Sequence, residues 1–464
     1  MSPIADAVAR PLWTDRLDPA PTPRTPLAAN INVDVAIIGG GFSGLWTAYY
    51  LIRQDPQLRV AILEREFCGF GASGRNGGWA VGELAGSFAK YASHASAADA
   101  LRQTRLVFAS VDEIGRVTTQ EKIDCDFAKG GTIRLARNAP QAKRQREEIN
   151  EVHAEGLTED DIRLLTPTEA TSYLNATDVH SGIFFAHTAA LDPAKLVRGL
   201  ADTVEAAGVS IYEQTEALGL KPGQIETSGG TVTAEIVVRA TEAYSRDLPG
   251  HRRALLPIYS HMIATEPLPA DLITNIGLHQ RPTFADDRHL VIYGQRTADN
   301  RIAFGAPGIP YLFGSKISPA NETHLPTHER IRNILVEILP ALRESAITHR
   351  WGGVLGIPRN WVPGLHLDPT TGIGSLGGYV GEGVAPSNLA GQTMADLILG
   401  HDTERATLPW VGYRARRWEP EPLRYPGVRG SRLILNAADQ REYRTGREAT
   451  LAFRFSRLLR GGNR

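Results

Sequence analysis

Cysteine is almost missing from this chain: Cys68 and Cys125 are the only two among 464 residues. Two thiols exclude a disulfide framework and a cysteine-based metal cluster; they fit a reducing compartment and read as small buried side chains. No metal site is expected. Net charge is equally scarce, at −1 from 50 basic and 51 acidic side chains. Such a balance gives no general attraction to nucleic acid or anionic lipid, so selectivity has to be local. No stretch of about 18 uninterrupted apolar residues occurs, which argues against a spanning helix. The N-terminus has no basic segment followed by an apolar one, so it does not read as a secretion signal, and a cytoplasmic location is expected.

What is present is glycine in a particular place. Residues 35 to 44 read Val-Ala-Ile-Ile-Gly-Gly-Gly-Phe-Ser-Gly, with Gly39, Gly41 and Gly44 at GxGxxG spacing. Val35 to Ile38 has the β-branched character of a strand buried on both faces, and Leu45 to Ile52 has helical apolar spacing. The three glycines then serve separate purposes, Gly39 allowing a tight turn, Gly41 close approach to a pyrophosphate and Gly44 tight helix-strand packing. The helix start, with Phe42 and Ser43, offers unpaired N–H groups and partial positive charge to phosphate. A second apolar run, Val60 to Leu63, ends in Glu64, placed to accept hydrogen bonds from ribose hydroxyls. That carboxylate favours FAD or NAD over NADP, although Arg65 beside it leaves a 2′-phosphate open.

The length suits two domains with separate cores. Residues 1 to 30, with six prolines, read as an extended arm that Trp13 can anchor. Gly69 to Trp79 is too glycine-rich for helix or strand, and its backbone N–H groups with Ser73, Arg75 and Asn76 can bind a phosphate and ring edges. The alternative is a plain surface connector. Residues 93 to 122 read as helix and Thr132 to Ala136 as strand. Asp192 should cap a helix that begins at Pro193. A β-meander then ends in Ile236 to Thr241, a strand returning to the nucleotide sheet. Alternation at 260 to 265, 289 to 293 and 301 to 304 predicts an antiparallel sheet, interrupted by a helix over 326 to 340. Gly377 to Asn388 prepares another helix start after Pro386.

These segments together resemble the FAD-dependent amine and amino-acid oxidases of the D-amino-acid oxidase, glycine and sarcosine oxidase superfamily. Gly-Ala-Ser-Gly-Arg-Asn-Gly-Gly at 71 to 78, Met-Ile-Ala-Thr-Glu-Pro-Leu at 262 to 268 and Trp-Glu-Pro-Glu-Pro-Leu-Arg at 418 to 424 look most like the gamma-glutamylputrescine oxidases. The resemblance implies a fold that is α/β and α+β: a discontinuous Rossmann-like FAD-binding domain and a substrate domain built on an antiparallel sheet. The implied parts are the arm 1–30; the FAD-binding segments 31–115, 186–250 and 350–426; the substrate segments 116–185 and 251–349; and a basic tail, 427–464. It also implies that Ala72, Ser73, Arg75, Asn76, Gly77 and Gly78 follow the ribityl chain and ring, with Trp79 beside it. Ala217, near the end of the returning strand, would contact adenine. Gly353, Gly381, Glu382, Gly383 and Val384 would approach the flavin, whose reduction a helix N-terminus stabilises. Covalent attachment in sarcosine-type relatives uses a cysteine in the C-terminal half; no cysteine follows Cys125, so FAD is expected to be noncovalent.

The implied chemistry is hydride transfer from a carbon bearing an amine to flavin N5, with oxygen as acceptor, and no strong acid or base is obligatory. Trp79, Tyr259 and His261 are the catalytic candidates; Trp79, Tyr259, Trp361 and Tyr379 are candidates for holding an amine. A histidine at such a position is more often structural than a proton acceptor. A dehydrogenase or secondary amino-acid oxidase of the same fold, and a noncatalytic flavoprotein, remain open. Leu451 to Arg460, mixing apolar and arginine positions, reads as a helix docked on the body or as an interfacial membrane or partner helix.

Overall fold

The computed structural model describes residues 4 to 450. Leu451 to Arg460 therefore lies outside the described residues. The chain builds a mixed α/β fold on two large sheets. The first has a parallel core in the order β18 (Ile373–Gly377), β11 (Gly230–Arg239), β1 (Ile31–Ile38), β2 (Val60–Leu63), β8 (Ser210–Tyr212). Flanking it are antiparallel β17 (Gly364–Asp368) beside β18 and the ribbon of β9 (Ala217–Lys221) and β10 (Gln224–Thr227) beside β11. Val35 to Ile38 and all of β2 are buried, as strands covered on both faces must be. The helix Phe42–Gln54 is buried from Phe42 to Ile52 between this sheet and the helix Val384–Leu399, where a Cβ on Gly391 would lie 2.6 Å from Cβ of Trp46.

The second sheet runs β16 (Ile347–Ile357), β12 (Leu256–Thr265), β15 (Ile302–Pro307), β14 (Tyr293–Arg296), β13 (Thr283–Asp286), β4 (Thr132–Ala136), β6 (Ser181–Phe185), β5 (Ile162–Leu165). It is antiparallel except at one joint, where β13 and β4 run parallel. The short pair β3 (Trp79–Val81) and β7 (Thr188–Ala190) carries the chain between the two sheets. Asp192 caps the helix Pro193–Ala206 by accepting from the N–H groups of Ala194 and Lys195 at 3.0 and 3.1 Å. Residues 93 to 122 are helical from Ala97 to Gln120, after a shorter helix over Phe88–His94.

Four expectations shift. The strand foreseen at 289 to 293 begins only at Tyr293, because the carboxylate of Asp439 takes the N–H groups of His289 and Leu290 that a ladder would need. The final helix of the first sheet starts at Val384, with Pro386 inside its first turn, where a missing N–H costs nothing. Ala217 opens β9 in the meander and is not on the returning strand, which is β11. The arm is anchored by Trp13, but it is also part of the core: Ile4, Leu12 and Trp13 are each at most 1% exposed. A short helix, Leu12–Asp15, pushes Trp13 into a slot made by Ala194 of the first layer and Met262, Ala303 and Trp351 of the second sheet.

Candidate functional site

Parallel strands deliver their carboxyl ends to one edge, and ligands of such sheets bind there. β1 ends at Gly39, β2 at Glu64, β8 just before Thr215, β11 just before Thr241 and β18 just before Gly378. Along that edge lies a cavity of about 1210 Å³, its open mouth included. Its wall contains Gly39, Gly41, Phe42, Ser43, Glu64, Arg65, Ala72, Ser73, Asn76, Ala217, Tyr379, Gly381, Gly383 and Val384.

Three segments meet in this wall through specific bonds. Ser73 Oγ accepts from the N–H of Phe42 at 2.9 Å, joining the second loop to the first. Tyr379 and Ser43 share a hydroxyl hydrogen bond at 3.0 Å, joining the third to the first. Glu64 accepts from Gly40 N–H at 2.8 Å and Glu66 N–H at 2.9 Å, and its remaining lone pairs are free for ribose hydroxyls. Arg65 is engaged elsewhere, ion-paired with Asp247 at 3.2 Å and lying 5.0 Å from the ring centre of Tyr244. Little of its charge is left for a 2′-phosphate. The helix Phe42–Gln54 has no acid in its first turn to compete with a pyrophosphate.

Gly39 and Gly44 are required by the protein's own backbone. Gly39 has φ +111°, and a Cβ there would sit 2.6 Å from the Ala240 carbonyl oxygen. A Cβ on Gly44 would sit 2.1 Å from the carbonyl oxygen of Gly39. Gly44 thus sets helix against strand and does not line the cavity. Cys68 lies under Gly40, buried, with its thiol pushed up by burial, far in kind from a reactive thiolate.

The second half of the 72 to 78 loop does something other than touch a ligand. A Cβ on Gly77 would collide with the ring of Tyr293 at 2.8 Å, and one on Gly78 with Gln295 Nε2 at 2.0 Å. These glycines admit side chains of the second sheet, and neither lines the cavity. Their carbonyls, with those before them, are met by donors from elsewhere. Trp351 Nε1 donates to Arg75 O and Trp13 Nε1 to Asn76 O, both at 2.9 Å; Gln295 Nε2 donates to Gly77 O at 2.7 Å and Gly78 O at 3.1 Å. Arg75 itself reaches across to Glu322 in an ion pair and lies over Phe70, so it acts as a strut. Gly353 packs on Arg75, leaving Val354 and Leu355 of β16 to face the cavity; Glu382 does not line it.

The candidate catalytic and substrate residues divide by strand parity. On β12, Ser260 bonds Tyr293 Oη at 2.7 Å beside Gly77, and Met262 packs with Trp13 and Trp351. Tyr259 and His261 point to the opposite face. Tyr259 Oη accepts from Ser318 N–H at 2.7 Å, and His261 Nε2 meets the Asn321 carbonyl at 2.7 Å. Burial pushes His261 down to about 3, so the ring stays neutral. Neither lines the cavity. Trp361 packs beside Leu256, Tyr311, Ile357 and Trp418, outside the cavity wall. Trp79 also lies outside the cavity wall; it stands edge-on to Tyr293, ring centres 6.2 Å apart, with its indole N–H buried and without a partner among the described residues.

Glu242 was not singled out from sequence, although it follows the returning strand by only a few residues. It lines the cavity and accepts from Gly378 N–H at 2.9 Å and Tyr379 N–H at 3.3 Å, holding the third loop to β11. Burial pushes its carboxyl up to about 7 from an ordinary 4.5. The folded protein keeps a proton that the unfolded chain releases near 4.5, so this group's stabilisation is present at low pH and is lost as pH rises to 7. Thermal unfolding of flavin-free protein should therefore show stability falling across that window, and Glu242→Gln should flatten the fall by up to roughly 3 kcal/mol. An unchanged slope in the variant would assign the fall to other groups.

The donor set fits a dinucleotide: a carboxylate for ribose, a helix start for pyrophosphate, and a slot between two sheets for a planar ring. Among the described residues, no group of three or more potential ligands could hold a metal ion, and no helix is long and apolar enough to cross a membrane.

Comparison with known proteins gives a consistent result. The family model described as FAD dependent oxidoreductase, DAO, matches residues 34–397. "Probable oxidoreductase OrdL" of Haemophilus influenzae is 30% identical over 429 residues, covering 89% of this chain and 91% of that protein. Gamma-glutamylputrescine oxidoreductase of Escherichia coli is 29% identical over 390 residues, covering 82% and 86% respectively. Among solved structures, glycine oxidase from Geobacillus kaustophilus superposes with a TM-score of 0.66 at 21% identity, covering 80% of this chain and 96% of that one.

Proposed function

Because the chain belongs to the DAO family of FAD-dependent oxidoreductases, we propose that it oxidises the C–N bond of an amine by hydride transfer to flavin N5, giving an imine that water hydrolyses to aldehyde or keto acid. The proposed substrate is a gamma-glutamyl or other short alkylamine, the acceptor molecular oxygen, the second product hydrogen peroxide, and the FAD noncovalent. FAD, when bound, supplies the two-electron acceptor; the protein's own residues supply alignment, exclusion of water and charge.

The observation that carries this reading is the lining of the cavity. Its wall brings together Glu64, the Gly39 to Ser43 turn, Val354 and Leu355 of the second sheet, and Tyr379, Gly381 and Val384, with Leu355 packed against Gly381. A ring held there has the second sheet on one side and the N-terminus of the sixteen-residue helix Val384–Leu399 on the other. That helix start favours negative charge at the pyrimidine edge. We assign the first sheet to the cofactor and the second to the substrate. We place the amine near Trp79 and the Ser260–Tyr293 hydroxyl pair, which lie behind the cavity wall, so a substrate must displace packing there to reach the buried indole N–H. No titratable side chain of that group is poised to take a proton, so the substrate amine has to arrive neutral. The similarity to gamma-glutamylputrescine oxidoreductase supports the choice of substrate class.

The test is anaerobic mixing of the holoprotein with gamma-glutamyl amines, primary amines and N-methyl amino acids, following the bleaching of flavin absorbance. Bleaching by an amine with fast return of colour and peroxide release in air is expected. Slow return in air would replace the oxidase reading with a dehydrogenase, and no bleaching by any of the panel would remove the catalytic reading. Yellow colour retained by denatured, precipitated protein would contradict noncovalent attachment.

A further inference from the structure

FAD brings a pyrophosphate dianion, yet the cavity that fits it has an acidic wall. Glu64, Glu216, Glu242 and Asp247 line it, and Arg65 is the one cation among the described residues of that wall. Arg65 is already taken, by Asp247 at 3.2 Å, Glu66 at 3.4 Å and Glu216 at 3.9 Å. Arg75, behind the wall, is held by Glu322. The turn and the two helix starts offer a phosphate N–H groups and partial charge, so no full positive charge stands ready for it. Glu64 and Glu242 are met by backbone N–H groups and not by cations.

Glu242 stands where the parts of the cradle cross. The nitrogen of its neighbour Thr241 lies 3.5 Å from where a Cβ on Gly39 would be, so this segment abuts the phosphate turn. Its Oε1 accepts from Gly378 and Tyr379 of the third loop, and Tyr379 in turn bonds Ser43 at the helix start. Its Oε2 is buried against β16, where a Cβ on Gly356 would lie 2.0 Å from it with Leu255 alongside. The titratable and charged groups that face it are Arg239 of β11 and Tyr379 of the third loop, and Arg239 lies beyond ion-pair distance. Burial alone already pushes the carboxyl up to about 7.

We propose that Glu242 makes FAD binding proton-coupled: entry of the pyrophosphate dianion is accompanied by uptake of a proton from solvent onto the Glu242 carboxylate, leaving a neutral acid that still accepts from Gly378 and Tyr379. The coupling rests on this cavity being the FAD site. A dianion nearby disfavours a carboxylate, so the loaded site keeps its proton to higher pH than the empty one. Between those two pH values the loaded protein carries more protons, and FAD affinity falls as pH rises. Below about 7 both forms are protonated and the dependence fades. Ribose hydroxyls that donate to Glu64 favour its charged form, so the proton falls to Glu242.

The test is isothermal titration of the flavin-free protein with FAD from about pH 6 to about pH 8.5, repeated above neutrality in buffers of different ionisation enthalpy to count protons. Kd is expected to rise by at least about fivefold across that range, and by no more than about tenfold per pH unit, with up to one proton taken up per FAD. Glu242→Gln keeps an acceptor for Gly378 and Tyr379 and should bind FAD with neither the slope nor the uptake. Tyr379→Phe, which loses only the bond to Ser43, should bind more weakly and keep both. A parent protein that takes up no proton, or a Glu242→Gln protein that keeps the slope, would overturn the proposal; should that variant fail to fold, the proton count of the parent decides. A pH-independent affinity removes the coupling alone, whereas no FAD binding at any pH would remove the assignment of the cavity with it.

Discussion

Replacing Gly44 by alanine is expected to remove FAD binding almost entirely. The added Cβ would stand 2.1 Å from the Gly39 carbonyl oxygen and 3.1 Å from Ile37 Cγ2, both on the strand that carries the turn. Backbone has no rotamer to move away with, so helix and strand have to separate. The helix N-terminus would then leave the position from which it meets a pyrophosphate. Overpacking of this kind costs about 3 kcal/mol, and a loss of that size in the cradle corresponds to roughly 100-fold in FAD affinity. Isothermal titration of the flavin-free variant, or retention of yellow colour through gel filtration, reads the effect directly. Gly427→Ala is the matched control: nothing lies within 4 Å of a Cβ there, and FAD binding should not change. A Gly44→Ala protein holding FAD within a few-fold of the parent would show that the helix can shift without disturbing the cradle.

The second large effect should come from a residue that touches no ligand. Trp13 is 1% exposed, stands edge-on to Trp351 with ring centres 6.1 Å apart, and donates to Asn76 O at 2.9 Å. Trp13→Ala should lose about 3 to 5 kcal/mol of stability, as for other buried tryptophans. It should also loosen the loop that carries Ser73 and Asn76. Trp13→Phe separates the two contributions, since it keeps most of the ring and deletes the N–H, leaving the Asn76 carbonyl without its donor at a cost of about 1 to 3 kcal/mol. FAD affinity should fall in both, by about tenfold or more in Trp13→Phe. If Trp13→Ala melts earlier yet binds FAD as tightly as the parent, the arm stabilises the fold without bracing the loop.

How much was legible in the sequence follows from which interactions are local. The turn at Gly39 to Gly44 could be read because a positive φ and a backbone-to-backbone contact leave one residue type, and strand, turn and helix follow without interruption. Glu64 could be read because a strand of four apolar residues ends on it. Gly77 and Gly78 are expected along the flavin, but the sequence does not show what else crowds them: Tyr293 and Gln295, more than two hundred residues away. Tyr259 and His261 illustrate parity. A strand is recognisable from alternation, yet alternation does not say what each face meets: Ser260 and Met262 face Tyr293, Trp13 and Trp351, and Tyr259 and His261 face the other way. Glu242 carries no motif at all; its role exists only because β18 is placed beside β11. The strand expected at His289 lost its hydrogen bonds to Asp439, which joins it from the end of the chain.

The slot that receives Trp13 has an implication for the order of events during synthesis. Residue 13 leaves the ribosome long before Met262, Ala303 and Trp351, which complete the slot, so until they are made Trp13 has only its earlier partners Asn76 and Ala194 to meet. Its seating closes one of the longest chain loops in the molecule and belongs among the last steps of folding. Since the arm's indole holds the Asn76 loop of the candidate site, full bracing of that loop waits until synthesis has passed Trp351.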